Sequence, residues 1–212
     1  MNTSYSKLIS INIIAALLFL GVGTSNVNNI EWELVTEEGV TKVYTRKSEQ
    51  SSIKEIRMTT TFKSDLETFK NVLSNVPGYP DWVYKCSDST KLPSESESDY
   101  HYYLITNMPY PITDRDLVVQ TKNWQIGHMY YSQSFSKPDF ITPIDGMVRV
   151  PRFTSYWEVT PLDDQTLEIE YEASTDPGGF LPAWVINLGI TKGPIITMKS
   201  LKKEVERKYE LK

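Results

Sequence analysis

The sequence is poor in reactive side chains. It holds one cysteine, Cys86, and two histidines, His101 and His128, among 212 residues. A lone thiol cannot close an internal disulfide, so stability has to come from packing. Neither histidine stands in a recognisable motif with Cys86, and a buried, idle thiol is the expectation. The sequence also lacks a G-x-S-x-G elbow, a paired-histidine metal motif and a phosphate-binding loop. No catalytic residue, metal or cofactor is therefore expected. Cations are outnumbered, 22 Lys and Arg against 27 Asp and Glu for a net charge of −5. That balance offers no general attraction to nucleic acid.

What is present begins with an apolar run, "LISINIIAALLFLGVG" from Leu8 to Gly23, behind the single cation Lys7. A spanning helix needs about 20 apolar residues, and this run is shorter, interrupted by Asn12 and followed by small residues. It reads as a signal peptide over residues 1–23, cut after Gly23 or Ser25, with export to the periplasm or outside the cell as the consequence. An uncleaved anchor is the alternative. The remainder, 27–212, has no repeat or linker, and its 40% hydrophobic and 12% aromatic content suits one domain with one core.

Within that domain, "GVTKVYTRK" and "SIKEIRMTTTF" read as strands. The period then changes. "SDLETFKNVLSNV" is helical, with Ser64 as the expected N-cap and Glu67 completing a capping box. Further strands are expected near 83–92, 99–106, 115–126, 128–136, 147–160 and 165–175, a long antiparallel meander. Apolar residues at helical spacing from Leu181 to Val205 predict a long terminal helix over 182–209, bent at Gly193-Pro194. The fold class is α+β, a curved sheet wrapping that helix. The helix carries seven Lys or Arg between Lys192 and Lys212. They read first as a solvated face complementing the helix dipole, and second as a docking patch for an anionic membrane.

Strand parity assigns faces. In "TLEIEYEA", Leu167, Ile169, Tyr171 and Ala173 turn inward, while Glu168, Glu170 and Glu172 turn to water without a cationic partner in sight. In "DYHYYLIT", Tyr100, Tyr102 and Leu104 turn inward, Asp99 and His101 outward, and Tyr103 and Ile105 require a covered outer face. In "RDLVVQTKN", Arg115, Leu117, Val119 and Thr121 turn inward, with Asp116, Gln120 and Lys122 outward. The Asp114-Arg115-Asp116 triplet at the start of a half-buried strand needs an explanation, because an unpartnered charge there is costly. A structural clamp is the first reading of Arg115, and a ligand-facing anchor the second. The segment 136–146, with Phe140 and Ile141, is long for a hairpin and reads equally as a lid over the tunnel mouth beside the terminal helix or as a packed surface loop.

Several of these stretches together, "YPITDRDLVV", "GMVRVPRFTSYWEVTPL" and "YEASTDPGGFLPAWVINLGITKGP" before an amphipathic terminal helix, resemble the START (StAR-related lipid transfer) domain in a bacterial exported form. The resemblance runs from about residue 30 to the C-terminus. It implies the helix-grip fold, an antiparallel sheet around a C-terminal helix with an internal hydrophobic tunnel for one lipid-like ligand. Tyr102, Leu104, Arg115, Val119, Thr121, Trp157, Ile169, Tyr171, Trp184 and Leu188 are then the expected ligand-binding residues. Some sterol-binding members carry an acid and arginine pair in the cavity, and those positions fall on Tyr102 and Thr121. Neither is charged, so the resemblance leaves ligand identity open. The expected function is non-catalytic binding and transfer of that ligand by a monomer. A cyclase or aromatase-type enzyme and a ligand-free partner-binding scaffold are the alternatives.

Overall fold

The computed structural model describes residues 31–48, 53–94, 96–181, 185–186 and 188–212. The expected signal peptide and its cleavage site lie outside them. The described residues form one ten-stranded sheet with the path β1-β2-β3-β10-β9-β7-β6-β5-β4. Its strands are β1 (Glu33–Glu38), β2 (Thr41–Arg46), β3 (Glu55–Lys63), β4 (Cys86–Lys91), β5 (Asp99–Thr106), β6 (Arg115–Ile126), β7 (Met129–Ser136), β8 (Val148–Arg149), β9 (Arg152–Asp163) and β10 (Thr166–Asp176). All neighbours on the path pair antiparallel, and the two-residue β8 adds a parallel pairing to β6. The sheet curves around a core without closing into a barrel. Two segments fill its concave side: α1 (Leu66–Ser74), which runs into a 3-10 turn over Val76–Asp81, and α2 (Gly193–Glu210).

Local chemistry explains the ends of these elements, with some departures from expectation. The N-cap of α1 is Asp65, not Ser64. Its carboxylate accepts from the Thr68 N–H at 2.8 Å, while the Ser64 hydroxyl turns to the Asp65 carbonyl at 3.0 Å. A carboxylate is the better acceptor beside the positive end of a helix, so the aspartate takes the position. The first strand, β1, was absent from the sequence reading because five of its six residues are exposed and show no inward period. Val150 and Pro151 divide the expected 147–160 strand into β8 and β9, as the missing proline N–H requires. The terminal helix does not simply bend at Gly193-Pro194. A π-helical turn, Leu188–Lys192, precedes α2, and Pro194 then occupies the first turn, where its missing N–H costs nothing. Gly193 lies so close to Tyr84 that a Cβ would meet the ring edge at 3.3 Å.

The core is continuous from α1 to the sheet. Phe62, Phe69, Leu167, Leu201 and Val205 are buried, and Phe62, Phe69 and Trp157 form a chain of ring contacts at 6.0 and 6.1 Å. The outer face of the sheet is less open than parity implies. Glu170 and Glu172 gain a cation after all: Arg57 from β3 approaches Glu170 at 3.4 Å and donates to Glu172 at 2.7 Å, under the Trp32 ring. Glu168 stays exposed.

The 137–147 loop covers the outer face of β5 and β6. Phe140 stacks on His101 at 4.0 Å, and the Tyr103 hydroxyl reaches Met147 Sδ at 3.7 Å. Asp116, expected outward and wet, is 1% exposed beneath this loop. Arg149 pairs with it through two bonds of 3.1 and 2.9 Å and also donates to the carbonyls of Pro138, Ile141 and Thr142. The loop therefore packs on the side of the sheet away from the concave face, which corrects its reading as a lid.

Candidate ligand cavity

A cavity of about 470 Å³ opens between the inner face of the sheet, the 79–85 turn and the start of α2. Cross-strand register explains where the room comes from. Thr121 on β6 stands opposite Ser134 on β7, Ser134 opposite Ser155 on β9, and Ser155 opposite Ala173 on β10. Four small side chains in one row leave a trough, and larger residues rise around it. Trp157 and Tyr171 stand one register step along at 4.3 Å from each other, while Tyr102 meets Tyr79 edge-on at 5.3 Å. Trp82 touches Tyr79 at 4.9 Å and closes the wall toward α1. Its other side borders a separate polar groove lined by Asn71, Asn75, Asp81, Glu204 and Lys208. From α2 come Gly193, Pro194, Thr197 and Met198, with the Thr197 hydroxyl accepting from the Tyr84 N–H at 3.0 Å and fixing the turn to the helix.

Among the described residues, the polar side chains of this wall away from its exposed rim are hydroxyls. Thr121 and Ser134 share a hydrogen bond of 2.8 Å. Tyr102 lies beside that pair, and burial pushes its phenol well above the usual range. Burial does the same to Tyr171 and Tyr79, whose hydroxyl donates to the Leu73 carbonyl at 2.9 Å. These phenols stay protonated at any ordinary pH, so they are neutral donors and acceptors. The cationic side chain in the lining is Lys85, exposed at the rim. Around that rim run Thr106 to Pro109 of the β5–β6 loop and Val185 and Gly189 ahead of α2.

Of the residues expected from sequence, Tyr102, Leu104, Thr121, Trp157 and Tyr171 stand in the cavity wall. Val119 and Ile169 are fully buried in the core behind it. Trp184 lies outside the described residues, and Leu188 begins the π turn.

Arg115 is away from the wall and 4% exposed. Its guanidinium donates to the Thr113 carbonyl and, at 3.3 Å, to the Gly178 carbonyl, and burial lowers its pKa. The flanking acids are engaged elsewhere: Asp114 accepts from the Met108 N–H at 2.7 Å, and Asp116 pairs with Arg149. The three charges thus tie down three different things, the 107–113 loop, the glycine turn after β10 and the 137–147 loop. That turn requires glycine, since Gly178 has φ 66 and a Cβ there would meet Pro151 at 2.9 Å.

Sequence reasoning missed Tyr79, Trp82, Ser155 and Thr197. The aromatic stretch "GYPDWVYK" was the available signal for the first two, but only the 3-10 turn sets which rings face inward.

No family model matches the sequence. An uncharacterised protein of Pseudomonas aeruginosa is 27% identical over 202 residues, which are 95% of this chain and 98% of that protein. Among solved structures, a StAR-related lipid transfer protein of Xanthomonas axonopodis superposes with a TM-score of 0.75 at 26% identity, covering 82% of this chain and 98% of its own. Human STARD10 gives 0.74 at 21% identity over 85% of this chain and 74% of its own. The Zhui aromatase/cyclase of a Streptomyces species shares the fold more distantly, 0.51 at 14% over 72% and 93%. Curved sheet, gripped terminal helix and the cavity between them give this chain the helix-grip fold of the START domains that it resembles.

Proposed function

We propose that the domain binds one hydrophobic, lipid-like molecule in the cavity between sheet and α2, without converting it, and carries it between membranes. The observation that carries this reading is the cavity itself: about 470 Å³, walled by Met58, Leu73, Trp82, Leu104, Leu117, Trp157 and Met198, with neutral hydroxyls between them. That volume and lining are those of a small-molecule site, and each buried methylene of a ligand contributes about 0.8 kcal/mol. The Xanthomonas protein's name supports the same reading. Tyr102, Leu104, Thr121, Trp157 and Tyr171 are the ligand contacts in this proposal. Arg115 is structural.

Transfer needs a membrane encounter. Two exposed aromatic side chains, Tyr110 at 95% next in sequence to the rim residue Pro109, and Phe180 at 92%, suit the interfacial zone of a bilayer. The cations of α2 contribute less than their number implies, since Lys199, Lys202, Arg207 and Lys208 have carboxylate partners. The protein acts as an exported monomer in this reading, after loss of residues 1–23.

Native mass spectrometry of detergent-free protein, with organic extraction, tests binding. A vesicle-to-vesicle assay tests carriage. A protein that stays empty when offered sterols, fatty acids, phospholipids and polyketides would remove the reading, and release of an altered product would replace it with an enzyme.

A further inference from the structure

The row Thr121, Ser134 and Ser155 makes room for a ligand, but alanines would make as much. Burying hydroxyls on the inner face of a sheet costs free energy unless each finds a partner. Thr121 and Ser134 satisfy one another. Ser155 is 6% exposed and lines the cavity directly opposite Ser134. Ser132, on the same strand as Ser134 and equally buried in the wall, adds a further hydroxyl beside it. Hydroxyls turned into a cavity are available to donate to, or accept from, a polar group that arrives there.

That something is uncharged at this end. A carboxylate or phosphate brought to the Ser155 row would lie in an apolar cavity without a cation among the described residues, since Lys85 is at the rim and Arg115 is engaged with carbonyls outside the wall. Leaving an anion there costs several kcal/mol, far more than a few hydroxyl bonds return. Phenols held in their neutral form add no charge.

We infer that the cavity selects an uncharged lipid bearing a hydroxyl or carbonyl, which enters polar group first and seats it on the Thr121–Ser134–Ser155 row. This rests on the lipid-binding reading above and narrows it. Fatty acids and phospholipids, whose charged heads would have to stay at the rim, are then poor ligands. The row is the specificity determinant, and the aromatic walls supply affinity without choosing among heads.

The test uses three probes of equal chain length, 1-hexadecanol, hexadecane and palmitate, each displacing a fluorescent apolar probe from the full chain at pH 8. Hexadecanol should bind about tenfold more tightly than hexadecane, the scale of one well-made hydrogen bond. It should exceed palmitate by at least as much. The Ser155→Ala and Ser134→Ala double variant should bring hexadecanol down to hexadecane and leave hexadecane unchanged, a result that loss of fold cannot produce. Palmitate binding as well as hexadecanol at pH 8, or hexadecane equalling hexadecanol in the unaltered protein, would overturn the inference while keeping lipid binding. Failure to bind any of the three would overturn lipid binding and this inference with it.

Discussion

The two halves of α2 meet two different interiors. Toward its C-terminus, Leu201 and Val205 are fully buried against Phe62, Phe69 and Leu167, a core of hydrocarbon and phenyl rings. Toward its N-terminus, Gly193, Pro194, Thr197 and Met198 face Trp157, Tyr171 and the row of small hydroxyl residues, and there the interior is hollow. One helix on one sheet yields both, so the difference lies in side-chain size and chemistry. Where large apolar residues oppose one another, the space is filled to native density. Where Thr121, Ser134, Ser155 and Ala173 stand in a row, the sheet recedes and the helix cannot follow, because its other end is already seated. The packed half supplies the stability that lets the other half stay hollow.

If that division is right, substitutions should fall into two groups. The largest loss should come from the packed half: Leu201→Ala should cost about 3 kcal/mol in denaturant unfolding, with probe binding by the remaining folded protein intact. A smaller cost, about 2 kcal/mol, is expected for Arg115→Met, which strands the Thr113 and Gly178 carbonyls in a buried site without touching the cavity wall. Normal thermal stability with abolished binding would move Arg115 into the ligand site.

Asp65→Ala should cost about 1 kcal/mol through loss of the α1 cap, and it also carries a pH signature. Burial opposes ionisation of Asp65, but the Thr68 N–H and Lys212 prevail and lower its pKa. A lowered folded-state pKa means stability present above the unfolded value and lost as pH falls through the folded one. The unaltered protein and Asp65→Ala should therefore separate fully above about pH 4 and converge as pH falls through the lowered folded-state pKa. Parallel curves across that range would show that the carboxylate charge contributes nothing.

The smallest stability effect, and the sharpest contrast, should come from Ser155→Leu. A larger apolar side chain normally strains a packed core, but here it enters a hollow one. The melting temperature should hold or rise while probe uptake disappears. A marked loss of stability would mean that the cavity end is packed as tightly as the other.

The strands around the cavity were legible because their signal is local. Parity in "DYHYYLIT" and "RDLVVQTKN" turned Tyr102, Leu104 and Thr121 to the concave face, and β5 and β6 occupy the residues expected. Three failures share a different cause. Asp116 was placed in water because parity reports which way a side chain points and not what covers it, and the cover comes from a loop more than 20 residues downstream. Arg57 was missed as the partner of Glu172 because the two are 115 residues apart in sequence. Ser155 read as an ordinary strand residue because its meaning lies in the register that aligns it with Ser134 and Thr121, which no single strand contains. Shape within one element was readable; encounters between elements were not.

Trp82 and Trp157 both form part of the cavity wall, the first only one ring thick between the hollow and the outer groove. Indole emission shifts with the polarity of its surroundings, so hydrocarbon arriving against these two rings would change the intrinsic fluorescence of the protein. The chain thus carries its own optical reporter of occupancy, built from residues that any ligand filling the hollow must touch.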